Sequence, residues 1–298
     1  MYELIQVTES AYYIQCPAKI GLVRTGPDRA VLIDSGSDKD AGKKAKKILD
    51  ANGWKLEAIY NTHSHADHIG GNEYLQKQTG CRVYAFGIER DFTEHPVLEP
   101  AFLYGGNPPG ELRHKFLMAQ PSEVQTLSWG SRPQSADLEV VWLPGHSWDM
   151  SGYRTADGAL YLADCLSSAE TLEKYRISFL VDVGAYLNTL ENVKLMEAKV
   201  FIPSHAEPTD DIAPLAELNI RAVNEIADTI AELCREPLSF ENLLAGLFRR
   251  YGLTMTFEQH ALVGSTVRSY LTWLKEAGRL VARFRDNLLL WQAAGSGE

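Results

Sequence analysis

Residues 61–71 read NTHSHADHIGG, which places three histidines and an aspartate within the six positions from His63 to His68, in a chain with eight histidines in all. In an extended segment alternate side chains share a face, so His63 and His65 can address one metal ion together. Asp67 and His68, further along as the chain turns towards a helix, can aim at a second point nearby. Neutral imidazoles with a carboxylate suit zinc, with manganese and iron as alternatives. A single ion does not need four ligands from six consecutive residues.

Outward from this stretch, as far as about residue 210, short apolar and β-branched runs alternate with polar or helical segments, the pattern of a mixed α/β chain. Five runs read as strands: AVLIDSG (30–36), EAIYNTHSH (57–65), LEVVWLPGHS (138–147), ALYLADC (159–165) and KVFIPSHAEP (199–208). Each ends, on its carboxyl side, in a group able to bind a metal or orient a ligand: Asp34, the His63 to His68 cluster, His146, Asp164 and His205. If neighbouring strands point the same way, these ends meet at one rim, where loops usually carry function. His146 then completes the first ion's ligands, His205 the second's, and Asp164 can bridge them. Roughly three protein ligands per ion, plus a shared place for water, is the open arrangement of a catalytic site. Two ions ~3.5 to 4 Å apart can hold a hydroxide between them at neutral pH, which is hydrolytic chemistry.

Between the first two strands, KDAGKKAKKILDANG predicts a surface helix stopped at Gly53. Residues 86–135, rich in proline, glycine and aromatics, interrupt the strand rhythm and read as a lid or pocket wall. Phe92, Phe102, Tyr104 and Phe116 there either line a substrate pocket or form a small satellite core. After residue 211 helical spacing takes over in 212–234, 239–252 and 257–277. RLVARFRDNLLLW (279–291) then reads as two strands around the turn residues Asp286 and Asn287. Helix, helix, helix and hairpin is the order of a winged helix, so two domains are expected, 1–210 and 211–298.

A hydrophobic fraction of 45% with 23% charged residues is that of a soluble globular protein. No apolar run approaches the ~20 residues that cross a bilayer, and no basic, apolar leader opens the chain, so a cytoplasmic location without membrane contact is expected. Cys16, Cys81, Cys165 and Cys234 lack CxxC spacing and read as reduced thiols. A net charge of −10 disfavours an extended polyanion as partner.

THSHADHIGG resembles the HxHxDH signature of the metallo-β-lactamase fold superfamily, and PGHS with His146, LADC with Asp164 and PSHAEP with His205 follow in that family's order over roughly residues 1–210. The resemblance implies an αββα sandwich with metals at one edge. It assigns His63, His65 and His146 to a first ion, Asp67, His68 and His205 to a second, and Asp164 to both. Asp34 resembles the family's acidic residue behind the histidine loop, which fixes ligand orientation. Ala163 and Ala206 stand where glycine is common, which bears on local backbone shape. Related diiron oxidoreductases usually have glutamate where this chain has His65, which argues for hydrolysis over electron transfer. Cys165 lies beside Asp164 and competes with it for the bridging role. Tyr186 resembles a tyrosine that some members place near the metals to hydrogen-bond an oxyanion. Asp67 and Tyr186 are thus the candidate catalytic side chains.

The expected function is a dinuclear metal-dependent hydrolase of a small ester, thioester or lactone, working through a metal-bridged hydroxide. A ribonuclease or phosphodiesterase that uses the C-terminal region to bind nucleic acid is the alternative, and a metal-dependent regulatory protein a third. Residues 237–298 hold seven basic and five acidic side chains, a balance that favours packing, pocket closure or homodimer formation over phosphate tracking. Gathering of Arg249, Arg250, Arg268, Arg279, Arg283 and Arg285 on one face beside the metals would reverse that order. The lack of an export leader argues against β-lactams as the main substrate.

Overall fold

The computed structural model describes residues 2–295 except 129, 131, 132 and 134. Strands β1 (Glu3–Gln6), β2 (Ala11–Gln15), β3 (Ile20–Arg24) and β4 (Arg29–Ile33) form an antiparallel meander. Helix α1 (Lys39–Ala51) then crosses over to β5 (Lys55–Tyr60), which pairs parallel to β4. The Asp38 side chain caps α1 through the backbone N–H groups of Asp40 and Ala41, and Gly53 adopts a left-handed turn just beyond its end.

The histidine stretch follows β5 directly and runs into the single turn α2 (Ala66–Ile69) and then α3 (Asn72–Thr79). Strand β6 (Arg82–Phe86) continues the parallel part of the sheet. After it come α4 (Gly87–Glu94), α5 (Leu98–Tyr104), a 3-10 turn at Gly110–Leu112 and the edge strand β7 (Gln125–Leu127). The 86–135 segment, expected as a lid or pocket wall, thus contains two helices, a 3-10 turn and an edge strand. Four residues of that segment's end lie outside the described residues.

A second sheet comprises β8 (Leu138–Trp142), β9 (Ser151–Thr155), β10 (Ala159–Ser167) and, after α6 (Ala169–Tyr175) and α7 (Val183–Val193), β11 (Val200–His205). Strands β10 and β11 are parallel, and β8 shares their direction because β9 is antiparallel to both of its neighbours. All five strand ends named from the sequence thus point to one edge.

Alternation along the strands makes three cores. Tyr13, Val31, Ile33, Tyr60, Tyr84 and Phe86 meet Tyr153, Tyr161 and Ile202 between the sheets. Ile14, Leu22, Leu32 and Ile59 pack outward against Ala45, Leu49 and Leu75 of α1 and α3. Leu160, Leu162 and Leu166 face the helices on the other side, so the layers are αββα. That last core continues into α8 (Ala213–Leu233), α9 (Phe240–Tyr251) and α10 (Phe257–Glu276) through Ile226, Ile230, Leu247, Val267 and Leu271. The short β12 (Leu238–Ser239) joins the hairpin β13 (Leu280–Arg285) and β14 (Leu288–Ala293) in a third sheet. Asp286 and Asn287 both have positive φ, as a two-residue hairpin turn requires. No helix among the described residues is long and apolar enough to cross a membrane.

Candidate metal centre

At the shared edge, Nε2 of His63, Nδ1 of His65 and Nε2 of His146 converge, with separations of 3.0 Å and 3.1 Å from the His65 atom to the other two. Asp164 joins them, and it also belongs to a second group with Asp67, His68 and His205. Within each group the ligand atoms lie within 4.8 Å of one another. The seven residues expected to hold metal are therefore brought together in the two sets expected of them.

Asp34, at φ 65° after β4, orients both groups. Its carboxylate accepts from the Thr62 backbone N–H at 2.8 Å and from the Thr62 hydroxyl at 2.8 Å. That hydroxyl, having donated its proton, can accept from His63 Nδ1 at 2.9 Å. The other Asp34 contact is to His68 Nδ1 at 2.8 Å. His146 donates its Nδ1 proton to the Phe179 carbonyl at 3.0 Å. In His63 and His146 the outer nitrogen holds the proton and the inner one offers its lone pair to the centre, whereas His68 does so only once its inner nitrogen gives up a proton.

Lone pairs facing one another need a cation. With His68 neutral, its Nε2 and Asp164 Oδ1, buried 3.0 Å apart, have no other hydrogen-bond partner. Orphaned polar atoms of this kind cost about 1–3 kcal/mol each. Divalent metal ligation satisfies them, so the donor set fits such ions.

Charge divides the two groups. Burial pushes His63 well below its usual pKa, takes His65 down to about 4 against the pull of Asp67, and with His65 beside it takes His146 to about 3. Burial opposes charge on His68 too, but Asp164, Asp67 and Asp34 hold it well above its usual value. Asp164 likewise raises His205. The first group is ready to ligate at neutral pH, whereas the second must first lose protons. Zinc binding at pH 7 should thus release protons, from His68 above all, and affinity should climb with pH. Calorimetric titration in two buffers of different ionisation enthalpy measures this. The metal-free chain has the opposite slope, because a raised histidine stabilises the fold below its unfolded pKa and loses that contribution as pH rises through the folded one.

Asp164 reaches the edge because Ala163, at φ 51°, lies at an irregularity in the β10–β11 pairing. The same site explains why glycine suits that position. Cys165 points the other way, wholly buried in the helix-side core. Tyr186 requires a correction. Its hydroxyl donates to the Cys165 carbonyl at 2.8 Å, and its ring is 4% exposed in that same core. Gly145, at φ 120°, lets Tyr186 pack this closely, since a Cβ there would lie 2.3 Å from the Tyr186 nitrogen. The tyrosine therefore supports the His146 loop and has no proton free for an oxyanion.

Of the four lid aromatics, Phe102 joins a satellite core. Phe102 lies edge-on to Phe92 and to Trp148, while Leu103, Leu112 and Leu117 pack against Ala261 of α10, with Phe102 and Phe179 against them. Tyr104 meets Phe257, and Phe116 is exposed. The Phe179 ring, 5.2 Å from that of His65, closes the first group. Asp67 and His205, with side chains 45% and 26% exposed, leave the second group open. His95, His114 and His260 stand outside both sets.

Two supporting residues have no signature in the sequence. Glu89 of α4, 1% exposed, accepts from the Ser64 N–H and hydroxyl, the Ser147 hydroxyl and the Asp149 N–H, tying the His63–His65 loop to the His146 loop. Lys19, also buried, donates to the Ala206 carbonyl at 2.7 Å and anchors the loop after His205. A third acid, Glu99 of α5, is pushed up to about 8 by burial and by Glu89 and Asp67.

An αββα sandwich with paired His/Asp clusters on one edge defines a metal-binding scaffold of the hydrolase type. A sequence model described as the metallo-beta-lactamase superfamily matches residues 13–205, and the chain belongs to that superfamily. Among curated proteins it is similar to hydroxyacylglutathione hydrolase of Rhodospirillum rubrum, 42% identical over 120 residues, which are 39% of this chain and 36% of that one. It is also similar to the beta-lactamase-like protein 2 homolog of Drosophila melanogaster, 25% identical over 190 residues, 61% of this chain and 56% of that one. These matches span well under two thirds of either relative's length. Among solved structures, a beta-lactamase domain protein from Burkholderia ambifaria superposes with TM-score 0.76 at 20% identity, covering 98% of this chain and 94% of that one. A metallo-beta-lactamase family protein from Thermus thermophilus gives 0.70 at 16%, covering 98% of both. At such identities the likeness concerns the fold alone.

Proposed function

We propose that the chain is a dinuclear metal-dependent hydrolase of small acyl substrates, thioesters first, with esters and lactones of similar size as alternatives. The observation that carries this reading is the place of Asp164, common to a three-histidine group and to an Asp67, His68, His205 group. His63, His65 and His146 would hold one ion, Asp67, His68 and His205 the other, and zinc suits both sets before manganese or iron. Bound there, the ions supply Lewis acidity towards an acyl carbonyl and activate water at neutral pH.

The chain's own residues do the rest. Asp67, at the exposed side, would accept a hydrogen bond from the attacking water and so orient it, and the Phe179 ring packs against His65 on the buried side. The thioester preference is supported by the relatives named hydroxyacylglutathione hydrolase. For the C-terminal region we favour a packing role within a two-part division near residue 211, in the helix and hairpin order of a winged helix. Arg279 pairs with Asp228 at 2.7 Å, Arg250 with Glu232 at 3.6 Å, and Arg268 lies 3.8 Å over the Phe240 ring. Arginines engaged in this way support packing rather than phosphate tracking.

The test is zinc-loaded protein assayed against acyl-glutathione thioesters, simple esters, lactones and single-stranded RNA. Turnover of an acyl substrate that is lost on chelation and restored by zinc is the expected result. Cleavage of RNA alone would replace this reading with the nuclease.

A further inference from the structure

Coordination through Nδ1 forces the remaining proton of a neutral imidazole onto Nε2, and that N–H then needs an acceptor. For His65, whose Nδ1 faces His63 and His146, the nearest acid to Nε2 is Glu99, with Oε1 at 3.7 Å. Glu99 belongs to neither sheet. It sits in the first turn of α5, in the segment between β6 and β7, and is 8% exposed. The outer nitrogens of His63, His68 and His146 meet groups in the loops at the sheet edges, namely Thr62, Asp34 and the Phe179 carbonyl.

The same helix is attached to the centre's surroundings by apolar contacts. Phe102 packs edge-on against Trp148, two residues beyond His146, and Leu103 joins the small cluster that includes Phe179 and Ala261. These contacts bring the Glu99 carboxylate to the centre but do not fix its last displacement. At 3.7 Å the pair is about 0.8 Å beyond a formed N–H···O bond. An imidazole that gives its Nδ1 lone pair to a cation becomes a stronger Nε2–H donor, so loading the site draws the two together.

We propose that Glu99 is a positioning residue for His65, and that through it α5 is fastened to the metal centre. Metal occupancy thereby sets how firmly this helix closes over the first group of ligands. The inference rests on the reading of the two clusters as a metal centre.

Zinc affinity, measured by competition with a chromophoric chelator, and hydrogen exchange of the α5 amides test it together in the full chain. In the wild type zinc should slow exchange across residues 98–104. Glu99→Ala should weaken zinc binding about 10-fold or more and abolish that protection, while amides of β4 and α8 keep theirs. Glu99→Gln, which retains the shape and one acceptor oxygen, should fall between, and it carries the test alone if the alanine variant does not fold. Equal zinc affinity in wild type and both variants, or α5 exchange indifferent to zinc in the wild type, would overturn the proposal. No zinc binding by the wild type at all would instead overturn the metal-centre reading beneath it.

Discussion

Asp164→Ala should lower kcat/KM on the best acyl substrate by at least about 10³-fold, equivalent to about 4 kcal/mol of lost transition-state stabilisation. The size follows from position. The Asp164 oxygens lie 3.0 Å from both His68 Nε2 and His205 Nε2, and 3.6 Å from His146 Nε2. Any other single ligand substitution leaves one group of donors whole, whereas this one weakens both. Elemental analysis should show well under two metal equivalents, and thermal unfolding of the metal-free variant should show a fold that survives. Asp164→Asn separates charge from shape. Burial disfavours the Asp164 anion, yet His205 and His68 hold its carboxyl well below the usual range. Without that anion both imidazoles should titrate lower, observable by proton NMR of their ring signals. Two full metal equivalents and near-normal turnover in Asp164→Ala would show that the clusters work as separate sites.

The seven clustered His and Asp residues were legible in the sequence because strand ends are legible. A β-branched run that stops at a histidine or aspartate fixes both the element and the place where its last side chain emerges. Parallel pairing of β4 with β5 and of β10 with β11 then gathers the ends on one edge. Asp34 was readable for the same reason. Glu89, Glu99 and Lys19 were not. An acid in the first turn of a short helix reads as a solvated group near the helix dipole, and only the fold shows that α4 and α5 turn these turns inward. The partners of Glu89 lie 25, 58 and 60 residues away, beyond any local pattern. Tyr186 failed in the opposite direction. Family resemblance placed it near the metals, but the nearest acceptor for its hydroxyl is the Cys165 carbonyl, one residue past Asp164 and on the core side of β10. Resemblance in sequence position did not carry over to access. In the 86–135 segment, proline and glycine punctuation concealed α4 and α5, whose apolar faces are short and whose packing partners, Trp148 and Ala261, come much later in the chain.

The stability of the centre should depend most on Glu89. Its Oε2 accepts from the Ser64 N–H at 2.9 Å and the Ser64 hydroxyl at 2.7 Å, and its Oε1 from the Ser147 hydroxyl and the Asp149 N–H. Asp149 answers by accepting, through its side chain, from the Ile88 N–H at 3.0 Å at the start of α4. The helix start and the His146 loop thus cap each other across some sixty residues of chain, an exchange that also needs Gly87, where a Cβ would collide with the Asp149 carboxylate. Glu89→Ala strands two backbone N–H groups and two hydroxyls with no acceptor. Hydrogen bonds to a buried charge contribute about 1.5–3 kcal/mol each, and partial relaxation leaves an expected loss of about 4 kcal/mol. At this chain length that is a fall in Tm of about 10 °C. Glu89→Gln should lose roughly half as much, because its amide NH₂ must face donors on one side while the carbonyl still serves the other. Zinc should restore part of the stability in both variants, since metal ligation also joins the two loops. Thermal unfolding with and without zinc reads both effects. An alanine variant that melts within about 2 °C of wild type and keeps its full metal content would show that the ligands themselves, rather than Glu89, hold the loops in register.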